Sequence, residues 1–84
     1  MHDLHVADQI HKLVIKTAES NSLKQVTDIV IELGVIVEHG ATVTPDNLEY
    51  NLNMLNKGSV AEDATIDINK IGGNIWKLVS INGD

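Results

Sequence analysis

The chain has 84 residues, no cysteine and a formal net charge of −6, which predicts one domain over residues 1–84 with neither a disulfide nor a thiolate zinc site. So few cations are available to neutralise phosphates that a nucleic-acid partner is not expected. No apolar run is long enough to cross a membrane and polar residues interrupt the start of the chain, so we expect a cytoplasmic protein with no membrane partner.

The first three residues bring several metal donors together at one chain end. The α-amine of Met1, the amide nitrogen of His2 and the imidazole Nδ1 of His2 can close two fused chelate rings in one plane. Planar nitrogen coordination completed by an oxygen, which Asp3 could supply, suits Ni(II) or Cu(II) better than tetrahedral Zn(II). Because the amide must lose its proton, such a site should strengthen as the pH rises. The alternative is an ordinary chain end, since termini are usually not involved in function.

An amphipathic helix is predicted to begin near residue 4, with Asp3 as its cap, and to end at residues 20–22. Its apolar positions recur at helical spacing and form one stripe: Val6, Ile10, Leu13, Val14, Thr17 and Ala18. A strand follows over Gln25 to Leu33, because apolar and polar residues alternate there. Its apolar face comprises Ile29, Ile31 and Leu33.

Residues 34–43 are predicted to form a loop or a short strand extension. The next three residues are a strong helix start, with Thr44 as cap, Pro45 in the first turn and Asp46 beside the positive end of the helix dipole. That second helix should close at Lys57 and Gly58. Its buried stripe should comprise Leu48, Leu52 and Leu55, with Tyr50 and Met54 at its borders.

Two further strands are predicted over residues 65–70 and 74–81, and Gly72-Gly73 between them is typical of a two-residue hairpin turn. The resulting order is α-β-α-β-β. It predicts an α+β, two-layer fold with a three-stranded mixed sheet and both helices on one face. Whether the first strand pairs with the second or the third is left open by the sequence.

The three other histidines are weaker candidates for metal binding. His5 lies three residues after His2 and is either a further ligand or an exposed helix residue. His11 falls on the polar face of the first helix and is expected to be solvated. His39 either approaches the amino terminus or belongs to an ordinary turn.

Five segments spread over the chain carry a resemblance to a known family. They are Met1-His2-Asp3 before the first helix, residues 26–34, residues 45–50, residues 57–68 and residues 76–81. In this order and spacing they resemble the nickel-binding domain of the HypA-type hydrogenase nickel-incorporation metallochaperones. The resemblance extends over nearly the whole chain.

The resemblance implies a function for the first residues. The family opens Met-His-Glu and uses its second residue as a nickel ligand, with the terminal amine and the following acidic residue, which implies an Ni(II) site at Met1, His2 and Asp3. It further implies delivery of the ion to a maturation protein or to an apo-metalloenzyme such as hydrogenase. The family inserts a zinc domain between its last two strands, whereas this chain has only a turn at residues 71–74, so no zinc site is expected.

An enzyme is not predicted, because the sequence contains no cysteine nucleophile, no glycine-rich phosphate loop and no convincing Ser-His-Asp arrangement. The rival to nickel delivery is a metal-free interaction module. Such a module could be a homo-oligomer that pairs through an exposed sheet edge.

Overall fold

The computed structural model describes residues 4–38 and 40–84 and confirms the predicted α+β fold. Two helices cover one face of a three-stranded mixed sheet, and a small two-stranded hairpin stands beside it. In chain order the elements are α1 (Leu4–Ser20), β1 (Val26–Leu33), β2 (Val37–Glu38), β3 (Ala41–Thr42), α2 (Pro45–Asn56), β4 (Thr65–Lys70) and β5 (Trp76–Gly83).

Strand β1 lies in the middle of the sheet, parallel to β4 and antiparallel to β5. It therefore pairs with both later strands, which answers the question that the sequence left open. The face that meets the helices carries Ile29, Ile31 and Leu33, which are all buried, as predicted. The opposite face carries Asp28, which is exposed, and Glu32, which is half-buried. The sheet therefore has one apolar face under the helices and one face open to solvent.

The prediction of a hairpin at Gly72-Gly73 is wrong. β4 and β5 do not pair with each other, because β1 lies between them. The connecting residues 71–75 instead cross the carboxyl end of β1, where the amide of Gly34 donates to the carbonyl of Ile75 (2.8 Å) and the amide of Val35 donates to the carbonyl of Gly73 (2.7 Å). The connection that contains the two glycines therefore spans the distance from β4 to β5, which is two strand spacings or about 10 Å, instead of one.

The buried face of α1 is close to the predicted apolar stripe, but it is shifted slightly around the helix axis. Ala7, which the prediction did not include, is fully buried, whereas Leu13 is exposed. The helix ends at Ser20 as predicted. Ser22 then adopts a left-handed conformation (φ 57°), and the amide of Leu23 donates to the carbonyl of Ala18 (2.9 Å). These features close the helix with a Schellman-type turn.

Helix α2 begins as predicted. The Thr44 side chain accepts a hydrogen bond from the amide of Asn47 (3.2 Å), and Pro45 occupies the first turn. The buried side includes the predicted Leu48 and Leu52. It also includes Asn51 and Asn56, two amides that the predicted leucine stripe left out.

Within residues 34–38 and 40–43, the structure has two short paired strands rather than an irregular loop. β2 and β3 pair antiparallel, and the amide of Val43 donates to the carbonyl of Ile36 (2.8 Å). The side chains of Ile36 and Val43 pack against the core and fix the hairpin to the domain. His39 lies outside the described residues.

Gly34 is the point at which the two crossing segments touch. A methyl group there would lie 2.5 Å from the carbonyl oxygen of Gly73 and 2.7 Å from that of Ile75, whereas a methyl group on Gly72 would meet nothing within 4 Å. We expect Gly34→Ala to lower the free energy of unfolding by about 1–3 kcal/mol, because backbone atoms must shift to admit the methyl group. Urea denaturation measures this, with Gly72→Ala as the matched control. Equal stability of the two variants would contradict the close crossing.

Candidate metal centre

The direction of α1 determines which end of the molecule carries the amino terminus. The last turn of α1 lies near the end of β5, since Thr17 and Asn21 line one shallow cleft with Asn82 and Gly83. Gly83 pairs with Val26 at the start of β1. A helix of 17 residues is about 26 Å long, so α1 begins at the opposite end of the sheet. That is the end where β1 finishes and residues 71–75 cross it.

The first turns of α1, which form the base of the amino terminus, are packed against the core. Val6 and Ala7, in the first two turns of α1, are both buried in the core. Helix termini usually fray unless side chains tie them down. The chain immediately after the predicted metal site is therefore tied to the domain.

The predicted ligands Met1, His2 and Asp3 lie outside the described residues, and so does the side chain of His5. Within the part of the chain that the structure describes, no three histidine, aspartate or glutamate side chains converge on a point that could hold a metal ion.

The prediction that His11 is merely solvated is wrong. His11 is half-buried, and its Nδ1 lies 2.8 Å from Oδ1 of Asn56, a residue that is only 1% exposed. An amide oxygen can only accept a hydrogen bond, so Nδ1 is the donor. The Nδ2 group of Asn56 is buried and has no hydrogen-bond partner among the described residues. The bond to His11 therefore satisfies the oxygen of this amide but not its Nδ2 group, and it joins α1 to α2.

Apart from His11, the charged residues of α1 are spread over the side of the helix that faces solvent. Lys12 forms an ion pair with Asp8 one turn earlier (3.0 Å), and both side chains are well exposed. An exposed pair at this spacing contributes only about 0.3–0.5 kcal/mol. It is a surface feature and does not shape a binding site.

Removal of the His11 imidazole should destabilise the fold. We expect His11→Ala to lower the free energy of unfolding by about 1–3 kcal/mol, because Oδ1 of Asn56 would stay buried without a donor. Lys12→Ala, next to it in sequence, should cost less than about 0.5 kcal/mol.

A double-mutant cycle measured by urea denaturation isolates the bond between the two helices. In an Asn56→Ala background the acceptor is gone, so His11→Ala should lose most of its effect. Equal costs of His11→Ala in the two backgrounds would show that the hydrogen bond contributes nothing.

Comparison with known proteins connects most of the chain to one family. Residues 1–76 match the family model described as hydrogenase/urease nickel incorporation, metallochaperone, hypA. A hydrogenase maturation factor HypA from Methanobrevibacter smithii is 39% identical over 84% of this chain and 54% of its own length. A factor of the same name from Rhizobium leguminosarum bv. viciae is 31% identical over 93% of this chain and 66% of its own length.

A solved structure agrees with the fold. The solution structure of the Ni metallochaperone HypA from Helicobacter pylori superposes with a TM-score of 0.78 and covers 96% of each chain, at 16% sequence identity. That likeness extends to the arrangement of helices and strands. The present chain spans about half to two thirds of the length of the curated relatives named above. Among its described residues, no helix has the length and hydropathy of a membrane span.

Proposed function

Because the chain belongs to the hydrogenase/urease nickel incorporation metallochaperone family, we propose that it binds Ni(II) at its amino terminus for delivery to a metalloenzyme such as a hydrogenase. The observation that carries the proposal is the match over residues 1–76, which includes Met1-His2-Asp3. The curated relatives are named as maturation factors and not as catalysts. In this proposal nickel is therefore cargo, which the chain binds and delivers without catalysing a reaction.

The proposed ligands are the α-amine of Met1, the amide nitrogen and imidazole of His2, and a carboxylate oxygen of Asp3. Three nitrogens and one oxygen in a plane suit Ni(II). These donors are contiguous in the chain, so the site needs no ligand from another element. Support comes from the buried Val6 and Ala7, which give the chelating tripeptide a fixed base.

The proposed partners are a maturation protein that acts in nickel transfer or the apo-enzyme itself. Transfer requires that the partner reach the ion, and α1 begins at an end of the domain. The family's zinc domain would be inserted at residues 71–74, the exposed connection between the last two strands. We propose that this chain carries out the nickel-binding part of the family's function without a zinc site of its own.

A nickel titration tests the proposal directly. We expect one Ni(II) per chain by calorimetry, a planar nickel-amide absorption band, and an affinity that rises with pH because the amine and amide must lose protons. His2→Ala should abolish this binding, and so should a Gly-Ser-Gly-Ser extension before Met1, which moves the α-amine away from the imidazole. His5→Ala measures whether that residue is a further ligand.

The matched control is His11→Ala, which removes a histidine from the same helix but leaves the proposed ligands intact. It should bind nickel as the wild type does. Tight one-to-one binding that survives His2→Ala would overturn the ligand assignment. The absence of nickel binding by the wild type would overturn the proposed function.

A further inference from the structure

A cleft of about 480 Å³ lies between the last turn of α1 and the final residues of β5. Its wall on the helix side includes Thr17 and Asn21, and its wall on the strand side includes Ser80, Ile81 and Asn82. All of its lining side chains are uncharged. The volume is within the range of ligand-binding clefts, about 300–1,000 Å³.

The cleft runs along the outer edge of β5. Ser80 and Asn82 are exposed on the open face of the sheet, whereas Ile81 packs against the core on the opposite face. A cleft that touches side chains of both faces of one strand passes along the edge of that strand. Among the described residues, β1 is the one strand that neighbours β5, so the outer edge is not paired with another strand.

The backbone groups on the inner edge of β5 are identified by their hydrogen bonds. The amide of Asp84 donates to the carbonyl of Gln25 (2.9 Å), and its carbonyl accepts from the amide of Lys24 (2.6 Å). Both groups therefore point toward the residues that lead into β1. The carbonyl of Asn82 points the same way, since it accepts a hydrogen bond from Oγ1 of Thr27 (3.3 Å).

The backbone groups of Ile81 and Gly83 consequently point into the cleft, because successive residues of a strand direct their N–H and C=O groups to alternate sides. Gly83 also adds no side chain that could cover the edge. A methyl group at Gly83 would overlap the carbonyl oxygen of Gln25, so the close approach of the two segments keeps this position a glycine. The edge is therefore open at two positions in succession.

A bulge limits the length of the open edge. Val79 is an extra residue of β5 between Leu78 and Ser80, where the pairing with β1 shifts its register. Bulges bend an edge strand and interrupt regular pairing. A strand added at this edge is therefore confined to the part of β5 after the bulge, which accommodates only a short segment.

The surroundings of the cleft differ on its two sides. On the helix side, Leu23 lines the cleft, and Leu13, one turn before Thr17 on the same side of α1, is 38% exposed. On the open face, Asn82 is paired in register with Asp28, which is an exposed carboxylate. A segment at the edge would therefore have aliphatic side chains on one side and a negative charge near the other.

We propose that this cleft binds a short extended segment of a partner protein, which pairs with the outer edge of β5 as an additional strand. The segment alternates aliphatic residues, which face α1, with basic or hydroxyl residues, which face the open side of the sheet. Asp28 and the net charge of −6 favour a basic segment over an acidic one.

The proposed contact is independent of nickel binding. The cleft is at the end of the sheet opposite the start of α1, so a segment bound there leaves the proposed metal site accessible. A short segment buries much less than the roughly 1,200 Å² of a stable interface. The contact is therefore weak and reversible.

Nuclear magnetic resonance of the full chain during titration with a synthetic peptide tests the proposal. The probe is an acetylated and amidated peptide, Thr-Val-Lys-Val-Lys-Val-Thr, added to millimolar concentration. We expect saturable shifts centred on the amides of Ile81 and Gly83, and several-fold slower hydrogen exchange of both amides because each donates to the added strand. The same peptide with glutamate in place of lysine should bind several-fold more weakly, and added salt should narrow this difference.

Two N-methylated forms of the peptide separate backbone pairing from charge attraction. Methylation of the valine amides blocks an antiparallel added strand, whereas methylation of the lysine amides blocks a parallel one. One form should bind and the other should not, which also gives the direction of the strand. Equal binding of the two forms, or binding of neither, would contradict strand addition.

Matched variants of the chain locate the contact. Asn82→Lys should weaken binding of the basic peptide several-fold, because it places a cation beside the cleft. Asn69→Lys is the control, since Asn69 is exposed on the same face of the sheet but on β4, at the other edge. Both variants should unfold near the wild-type temperature. His2→Ala should bind the peptide as the wild type does, which separates this proposal from the nickel site.

Three further results would overturn the proposal. The first is hydrogen exchange of Ile81 and Gly83 that the basic peptide leaves unchanged. The second is an equal loss of binding in Asn82→Lys and Asn69→Lys, which would indicate a general effect of charge. The third is protection of the two amides that rises with protein concentration when no peptide is present, which would assign the edge to a second copy of the chain.

Discussion

The structure depends on the position of β1 between the other two strands of the sheet. Its backbone is hydrogen-bonded to β4 on one side and β5 on the other, and its buried side chains lie under both helices. A short turn joins α1 to β1, and α2 leads from β1 to β4, which is parallel to β1. Both helices are therefore antiparallel to β1. Both therefore begin at the end where β1 finishes. The base of the amino terminus, the β2–β3 hairpin and the crossing segment 71–75 are brought to that one end.

Signals that act within a few residues were sufficient to predict most of the fold. The alternation along β1, the stripe of α1 and the Thr44-Pro45-Asp46 helix start each specify structure through contacts that any chain of that sequence would make. The hairpin at Gly72-Gly73 failed because glycines permit a tight turn without requiring it. β1 offers hydrogen bonds to both later strands, and this pairing joins residues that are far apart in the chain, such as Asp28 with Thr65 and Val30 with Ser80, which no local pattern reveals.

The same limit explains His11. On a helical wheel it borders the apolar stripe, and its partner Asn56 is 45 residues later in the chain. A signal was present in α2, where Asn51 and Asn56 fall among the buried leucine positions at helical spacing. A buried amide requires a hydrogen-bonding partner, so two asparagines on the packed side of α2 indicate that a polar side chain of a neighbouring element meets them. The identity of that side chain follows only from how the helices are placed.

For the candidate site, the sequence supplied the donors and the fold supplied their setting. The three proposed ligand residues are contiguous, so folding is not needed to assemble the chelate. From Met1-His2-Asp3 alone, a chelate and an ordinary chain end were both open, and the family resemblance favoured the chelate. What folding adds is position: the buried Val6 and Ala7 hold the start of α1 against the core.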